Sequence, residues 1–196
     1  MILTIFRLNL SVNTDIILVC FQSSVYIFKV TGREVRMGKT KDSKKFDLIL
    51  VLCLLIPLAI GGASAFVSLD GFKTFGDLKK PPFTPEGWMF IVVWSVLYLL
   101  MGAVCYMIVK DKVHKRAGVL TIYVLQLIFN GIWCPLFFGQ GWYWISAVWL
   151  IVLVGLIAIL VMMVWRIRKG AALLLLPYLI WSVFSLYLNI GMATLN

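Results

Sequence analysis

The chain has 196 residues, of which 62% are hydrophobic, against roughly half or less in soluble domains, and its mean hydropathy is +1.01. Its formal net charge of +10 comes from 18 Lys and Arg against 8 Asp and Glu. A nucleic-acid binder gathers such an excess on one folded face, whereas these basic residues flank long uncharged stretches. Composition therefore excludes an ordinary soluble domain and a nucleic-acid partner, and predicts an all-α membrane protein.

Residues 1–36 differ in character from the rest of the chain. Ile16–Phe28 is apolar but interrupted by Gln22, Ser23 and Ser24, and it falls short of the roughly 20 residues a span needs. It also lacks the charged start and small-residue cleavage site of a secretory signal. Met37-Gly38 opens a Lys- and Asp-rich run that leads straight into apolar sequence. Residues 1–36 are expected to be an N-terminal extension without defined structure or a mis-assigned start, with a single domain over residues 37–196.

Beyond that run lie four uncharged stretches: Leu48–Leu69, Gly87–Val109, Ala117–Trp165 and Ala171–Asn196. The third is too long for one crossing and is expected to break at Pro135 and at Gly139-Gln140-Gly141, where two glycines make a short turn. Five spanning helices result, over about residues 48–69, 88–109, 117–138, 142–165 and 171–192. Basic residues precede the first span (Lys39, Lys41, Lys44, Lys45) and occupy two alternate connections (Lys110, Lys112, Lys115, Arg116; Arg166, Arg168, Lys169). Lys and Arg are retained on the cytoplasmic side, so the N-terminus is expected inside and the C-terminus outside.

Cys20, Cys53, Cys105 and Cys134 have no Cys-x-x-Cys spacing and read as small apolar residues of a membrane core. The one histidine, His114, lies in a basic loop. No metal site is predicted.

Span one carries Gly61-Gly62-Ala63-Ser64-Ala65, small residues that let helices approach closely in lipid. The connection from Asp70 to Gly87 is the long one, a length at which loops often act as lids. Within it Pro81-Pro82 holds an extended backbone. Thr84 is a candidate helix cap, Pro85 suits a first helical position and Glu86 complements the helix dipole. The later spans carry side chains at helical spacing: Trp94, Tyr98 and Met101; Gln126, Asn130 and Trp133; Trp142, Ser146 and Trp149; Trp181, Ser185 and Asn189. Residues so spaced share a face, and polar groups at membrane depth seek partners inside the bundle. Trp142 and Trp144, beside a turn, suit the interfacial aromatic belt. Trp94, a third of the way into its span, suits a pocket wall.

Four ordered segments carry a resemblance. They are Lys80-Pro81-Pro82-Phe83-Thr84-Pro85 with Trp88; Val93-Trp94-Ser95-Val96-Leu97-Tyr98 through Gly102; Gln126 through Gly139, which includes Asn130-Gly131-Ile132-Trp133-Cys134-Pro135; and Leu176-Pro177-Tyr178-Leu179-Ile180-Trp181 with Asn189 and Leu195-Asn196. Together, over about residues 45–196, the chain resembles the TspO/MBR family, the tryptophan-rich sensory proteins related to the mitochondrial translocator protein. The resemblance implies a five-helix bundle, often a homodimer, with a pocket closed by the first loop. It implies ligands such as protoporphyrin IX and haem, and in animals cholesterol and benzodiazepine-type drugs. By motif position the ligand-binding residues would be Trp94, Asn130, Trp133, Trp181 and Ser185, with Tyr98 and Gln126 nearby. A bacterial cell membrane is the expected location.

Departures from the family pattern are Phe83 where Trp is common, Glu86 where a second proline is usual, and Ser185 where alanine is usual. Ser185–Asn196 also has no Lys or Arg, so the weak L-x-Y-x-K/R pattern proposed for cholesterol is missing. Indole and phenol rings suit the face of a flat tetrapyrrole, with Lys79 and Lys80 near its carboxylates. No histidine lies in a span, which favours free-base porphyrin and leaves Tyr, Cys or Met as alternatives for haem. The expected function is binding, sensing or transport of tetrapyrroles and similar apolar molecules within membrane lipid, with no cofactor required. The alternative is an enzyme for light- and oxygen-dependent porphyrin breakdown using Trp94 and Trp181; a coupled transporter ranks below both.

Overall fold

A computed structural model describes residues 48–110 and 116–196. The expectations for residues 1–36, with Cys20 among them, for Lys39, Lys41, Lys44, Lys45, Lys112 and Lys115, and for His114 concern residues outside that part. The described residues form helices and no strand: α1 (Leu48–Val67), α2 (Leu69–Thr74), α3 (Gly87–Lys110), α4 (Arg116–Cys134) with a π-helical continuation Pro135–Gly139, α5 (Tyr143–Trp165) and α6 (Lys169–Leu195). With its continuation, α4 joins α1, α3, α5 and α6 as five helices long and apolar enough to cross a bilayer. A helix satisfies every backbone polar group within its own segment, which the hydrocarbon interior demands.

The five helices close into a ring. α1 packs on α3, α3 on α6, α6 on α5, α5 on α4, and α4 back on α1. α6 is the most enclosed and α1 the least, burying only Cys53, Pro57 and Ser64. The two halves of the ring differ in chemistry. Toward the α5–α6 connection the interior is a dry aliphatic layer of Val104, Leu153, Ile157, Leu160, Leu174 and Leu175. Toward the α1–α3 connection it holds aromatic rings, amides and hydroxyls.

Three local expectations change. The Asp70–Gly87 connection begins as helix α2, set off from α1 by a turn in which the Ser68 hydroxyl donates to the Ser64 carbonyl (2.8 Å). Pro135 does not break the third span. Proline has no N–H to give to the preceding turn, and the helix loosens instead: Gln140 N–H donates five residues back to the Pro135 carbonyl (2.9 Å). The reversal falls one residue later, at Gly141, whose φ of 65° glycine adopts at no steric cost. Thr84 does not cap α3. Its hydroxyl donates to the Pro81 carbonyl (2.7 Å), and the Glu86 carbonyl accepts the Met89 N–H (2.9 Å), so Pro85 precedes the helix.

Candidate functional site

The small residues of α1 open a space that the larger residues of α3 and α4 then line. Gly61 has room for no side chain, because a Cβ there would enter the Tyr98 ring; Tyr98 therefore packs directly against the backbone of α1. One turn on, the Ser64 hydroxyl donates to the Gly131 carbonyl (2.6 Å) and ties α1 to α4. Between these contacts lies a cavity of about 180 Å³ walled by Trp94, Tyr98, Asn130, Trp133, Phe90 and Phe138, with Cys134 and Phe72 also lining it. Gly62, Ile91 and Ser95 also line it and are exposed, so the cavity reaches the outer face of the bundle between α1 and α3.

Trp94 stands at the centre of the aromatic wall, its ring centroid 5.8 Å from Tyr98, 5.9 Å from Trp133 and 6.1 Å from Tyr178. Behind it runs a chain of hydrogen bonds. Tyr98 donates to Asn130 Oδ1 (2.6 Å), Asn130 Nδ2 donates to the Tyr178 oxygen (3.0 Å), and Tyr178 donates to Gln126 Oε1 (2.7 Å). Three helices are joined at depth by this chain, and it holds the Asn130 carboxamide at the cavity wall. A second anchor links Trp133 Nε1 to Asn189 Oδ1 (3.0 Å), and Asn189 Nδ2 to the Tyr143 carbonyl (2.9 Å).

Of the residues expected at a ligand site, Trp94, Tyr98, Asn130 and Trp133 come together on this wall. Gln126 stands two hydrogen bonds behind, reaching Asn130 through Tyr178. Trp181 and Ser185 do not line the cavity. The Phe90 ring fills the space between, in an edge-on contact with Trp181 at 5.9 Å, and Ser185 faces a separate void of about 10 Å³ beneath the first loop. Trp181 Nε1, the hydroxyls of Ser182 and Ser185, and Gln126 Nε2 are buried and find no hydrogen-bond partner among the described residues. Lys79 and Lys80 do not line the cavity either: Lys80 Nζ lies over the Phe75 ring, 4.8 Å from its centroid. Trp142 and Trp144 are 51% and 60% exposed, as an interfacial belt requires.

The sequence reading missed Tyr178 and Phe90. Tyr178 was within reach, since it continues the Trp181–Ser185–Asn189 face one turn toward the start of α6. Phe90 lies one turn before Trp94 on α3 and gave no such signal, because a phenylalanine in an apolar helix is most often packing.

The sequence matches the TspO/MBR family over residues 52–195. It is 35% identical to the tryptophan-rich protein TspO of Archaeoglobus fulgidus over 150 residues, 76% of this chain and 97% of that protein. It is 37% identical to the translocator protein of Ovis aries over 134 residues, 65% of this chain and 77% of that protein. Protein CrtK of Rhodobacter capsulatus is 28% identical over 157 residues, 76% of this chain and 94% of CrtK. The chain belongs to the TspO/MBR family.

As a TspO/MBR protein it is an integral membrane protein, and its departures from the family pattern have local consequences. Glu86 accepts the indole N–H of Trp88 (2.7 Å), giving the end of the first loop a side-chain link. Phe83 takes a φ of 65°, a conformation a bulky residue adopts only when its surroundings hold it there. Those surroundings include the C-terminal end of α6. Tyr187 donates to the Pro82 carbonyl (3.1 Å). The Asn196 carboxamide pairs with the Lys79 backbone both ways, accepting from its N–H (3.0 Å) and donating to its carbonyl (2.9 Å). On the exposed start of the loop, the Lys73–Asp70 pair (2.7 Å) lowers the Asp70 pKa and raises that of Lys73, chiefly through their hydrogen bond.

Proposed function

We propose that this TspO/MBR protein binds a flat, largely apolar molecule of the tetrapyrrole class, in a sensing or carrier role, within the cavity between α1, α3 and α4. The observation that carries the reading is the wall itself: three aromatic side chains, Trp94, Tyr98 and Trp133, beside one oriented carboxamide, Asn130. Aromatic faces attract a planar ring system by roughly 1 kcal/mol per pair beyond area burial. A carboxamide held by its neighbours offers a fixed polar contact without reorganising. The opening at Gly62, Ile91 and Ser95 faces where lipid would lie, and an apolar ligand concentrates in lipid. Protoporphyrin IX and haem both suit such a wall, and Cys134 and Tyr98 are the wall's candidate iron ligands for haem.

Size sets a condition on this reading. Pockets for drug-sized ligands are about 300–1,000 Å³, and the cavity of about 180 Å³ accepts one edge of a tetrapyrrole and not all four rings. Binding therefore requires side-chain movement or a ligand that remains partly in lipid. Titrating purified protein with protoporphyrin IX tests the reading. Trp94→Ala is expected to weaken affinity about ten-fold, equal to about 1.4 kcal/mol; unchanged affinity in folded protein rejects the cavity as the site.

A further inference from the structure

The Trp94 cavity and the small void beneath the loop share a partition of three side chains, Phe90, Trp133 and Phe138. Two of the three are held. Trp133 is tied through its indole N–H to Asn189 and stacks on Phe137 at 5.6 Å. Phe138 stacks on Phe72 at 4.1 Å and meets Phe137 and Phe75 edge-on at 4.7 and 5.3 Å. Phe90 has only two edge-on ring contacts, with Trp181 at 5.9 Å and Phe75 at 6.2 Å, and no polar anchor. A phenylalanine in a helix has two common χ1 positions, and a change from one to the other moves the ring without moving the backbone of α3.

The far side is short of partners. Ser185 borders the small void and is 1% exposed, and its buried hydroxyl has no hydrogen-bond partner among the described residues. Trp181, one turn away on the same face, has an indole N–H in the same condition and is covered by Phe90. Buried polar groups are normally satisfied, and two orphans behind one movable ring mark where a ligand's acceptor would go. At about 10 Å³ the void is at the lower limit for a single water, so the space must come from the ring.

We propose that Phe90 is a gate between two chambers of one binding site. When its ring swings out, the cavity extends to Trp181 and Ser185, and a planar ligand carrying an oxygen acceptor on its edge is held by their N–H and O–H groups. The assignment rests on the tetrapyrrole reading for the ligand's identity and on geometry alone for the gate. It makes Phe90 the residue that sets how wide a ligand the protein admits.

The test has two arms, both on the full chain in lipid nanodiscs. In the first, Ser185→Cys is labelled with methyl methanethiosulfonate and read site by site by mass spectrometry, which separates it from the native cysteines. Adding Phe90→Ala is expected to speed labelling at position 185 by about ten-fold or more, as the opening cost is removed, and Phe90→Trp to slow it. Should the alanine variant fail to fold, Phe90→Leu is expected to act in the same direction. Equal rates across the folded variants overturn the gate. In the second arm, protoporphyrin IX is titrated into each Phe90 variant with Ser185 intact. Affinity is expected to rise several-fold for Phe90→Ala and to fall for Phe90→Trp. Responsive labelling without porphyrin binding in any variant leaves the gate standing and removes the tetrapyrrole as its ligand. Porphyrin binding that is lost in Trp94→Ala but indifferent to Phe90 does the reverse.

Discussion

Replacing Tyr178 with phenylalanine removes one oxygen from the middle of the buried chain and leaves the ring contact with Trp94 in place. The same oxygen accepts from Asn130 Nδ2 and donates to Gln126 Oε1, so the substitution orphans one donor and one acceptor. Tyr178 and Gln126 are both fully enclosed, so the orphaned Gln126 Oε1 is sealed inside the bundle. An unsatisfied buried group costs about 1–3 kcal/mol in soluble proteins, whereas interhelical hydrogen bonds in membranes average nearer 0.6 kcal/mol. Two such losses together amount to about 1–3 kcal/mol. At roughly 2–4 °C per kcal/mol for a chain of this size, the midpoint of thermal unfolding should fall by about 2–12 °C. Tyr98→Phe is the control. It removes one donor from Asn130 Oδ1, an atom at the wall of a cavity large enough for water, and its cost should stay below about 1 kcal/mol. Adding Gln126→Leu to Tyr178→Phe should recover part of the loss, because both orphaned ends at Gln126 then disappear. The assay is thermal unfolding in a single detergent, followed by far-ultraviolet circular dichroism. Equal losses for the two tyrosines, or a larger one for Tyr98→Phe, would refute the reasoning that the chain is buried at Tyr178 and solvated at Tyr98.

Other outcomes turn on single contacts. Gly61→Ala forces a methyl group into the Tyr98 ring and should cost about 1–3 kcal/mol as overpacking, with porphyrin affinity falling alongside; a variant with unchanged stability and binding would mean that Tyr98 moves freely. Asn196→Ala removes both hydrogen bonds to the Lys79 backbone, so limited proteolysis between Lys79 and Gly87 should quicken several-fold and bound porphyrin should dissociate faster. Unchanged cleavage would mean that Tyr187 alone holds the loop. Under light and oxygen, protoporphyrin IX bound to the protein should bleach equally in wild type and Trp94→Phe. A defined bilin-like product lost in that variant would make the protein an enzyme.

Much of the architecture was legible because a bilayer imposes a one-dimensional test. Uncharged length alone separates the spans, and the five helices Leu48–Val67, Gly87–Lys110, Arg116–Gly139, Tyr143–Trp165 and Lys169–Leu195 fall within a few residues of where composition puts them. Helical spacing also identified the polar faces: Gln126, Asn130 and Trp133 are all buried, as are Trp181, Ser185 and Asn189. What spacing cannot say is which face meets which. Lipid tails are as apolar as leucine, so the lateral order of helices is decided by close packing and a few polar contacts, and these depend on side chains far apart in the chain. Tyr178 acquires its place only because Asn130 and Gln126 of another helix reach it from two levels. Phe90 becomes a partition only because α6 brings Trp181 and Ser185 to its far side. Pro135 reads as a break in sequence and is a π-helical turn in the fold, since the residues after it find backbone partners five positions back. Hydrophobic length and helical period determined the spans and their inward faces; mutual packing of those faces decided the cavity, its size and what divides it, because steric fit is a property of pairs of helices and not of any one of them.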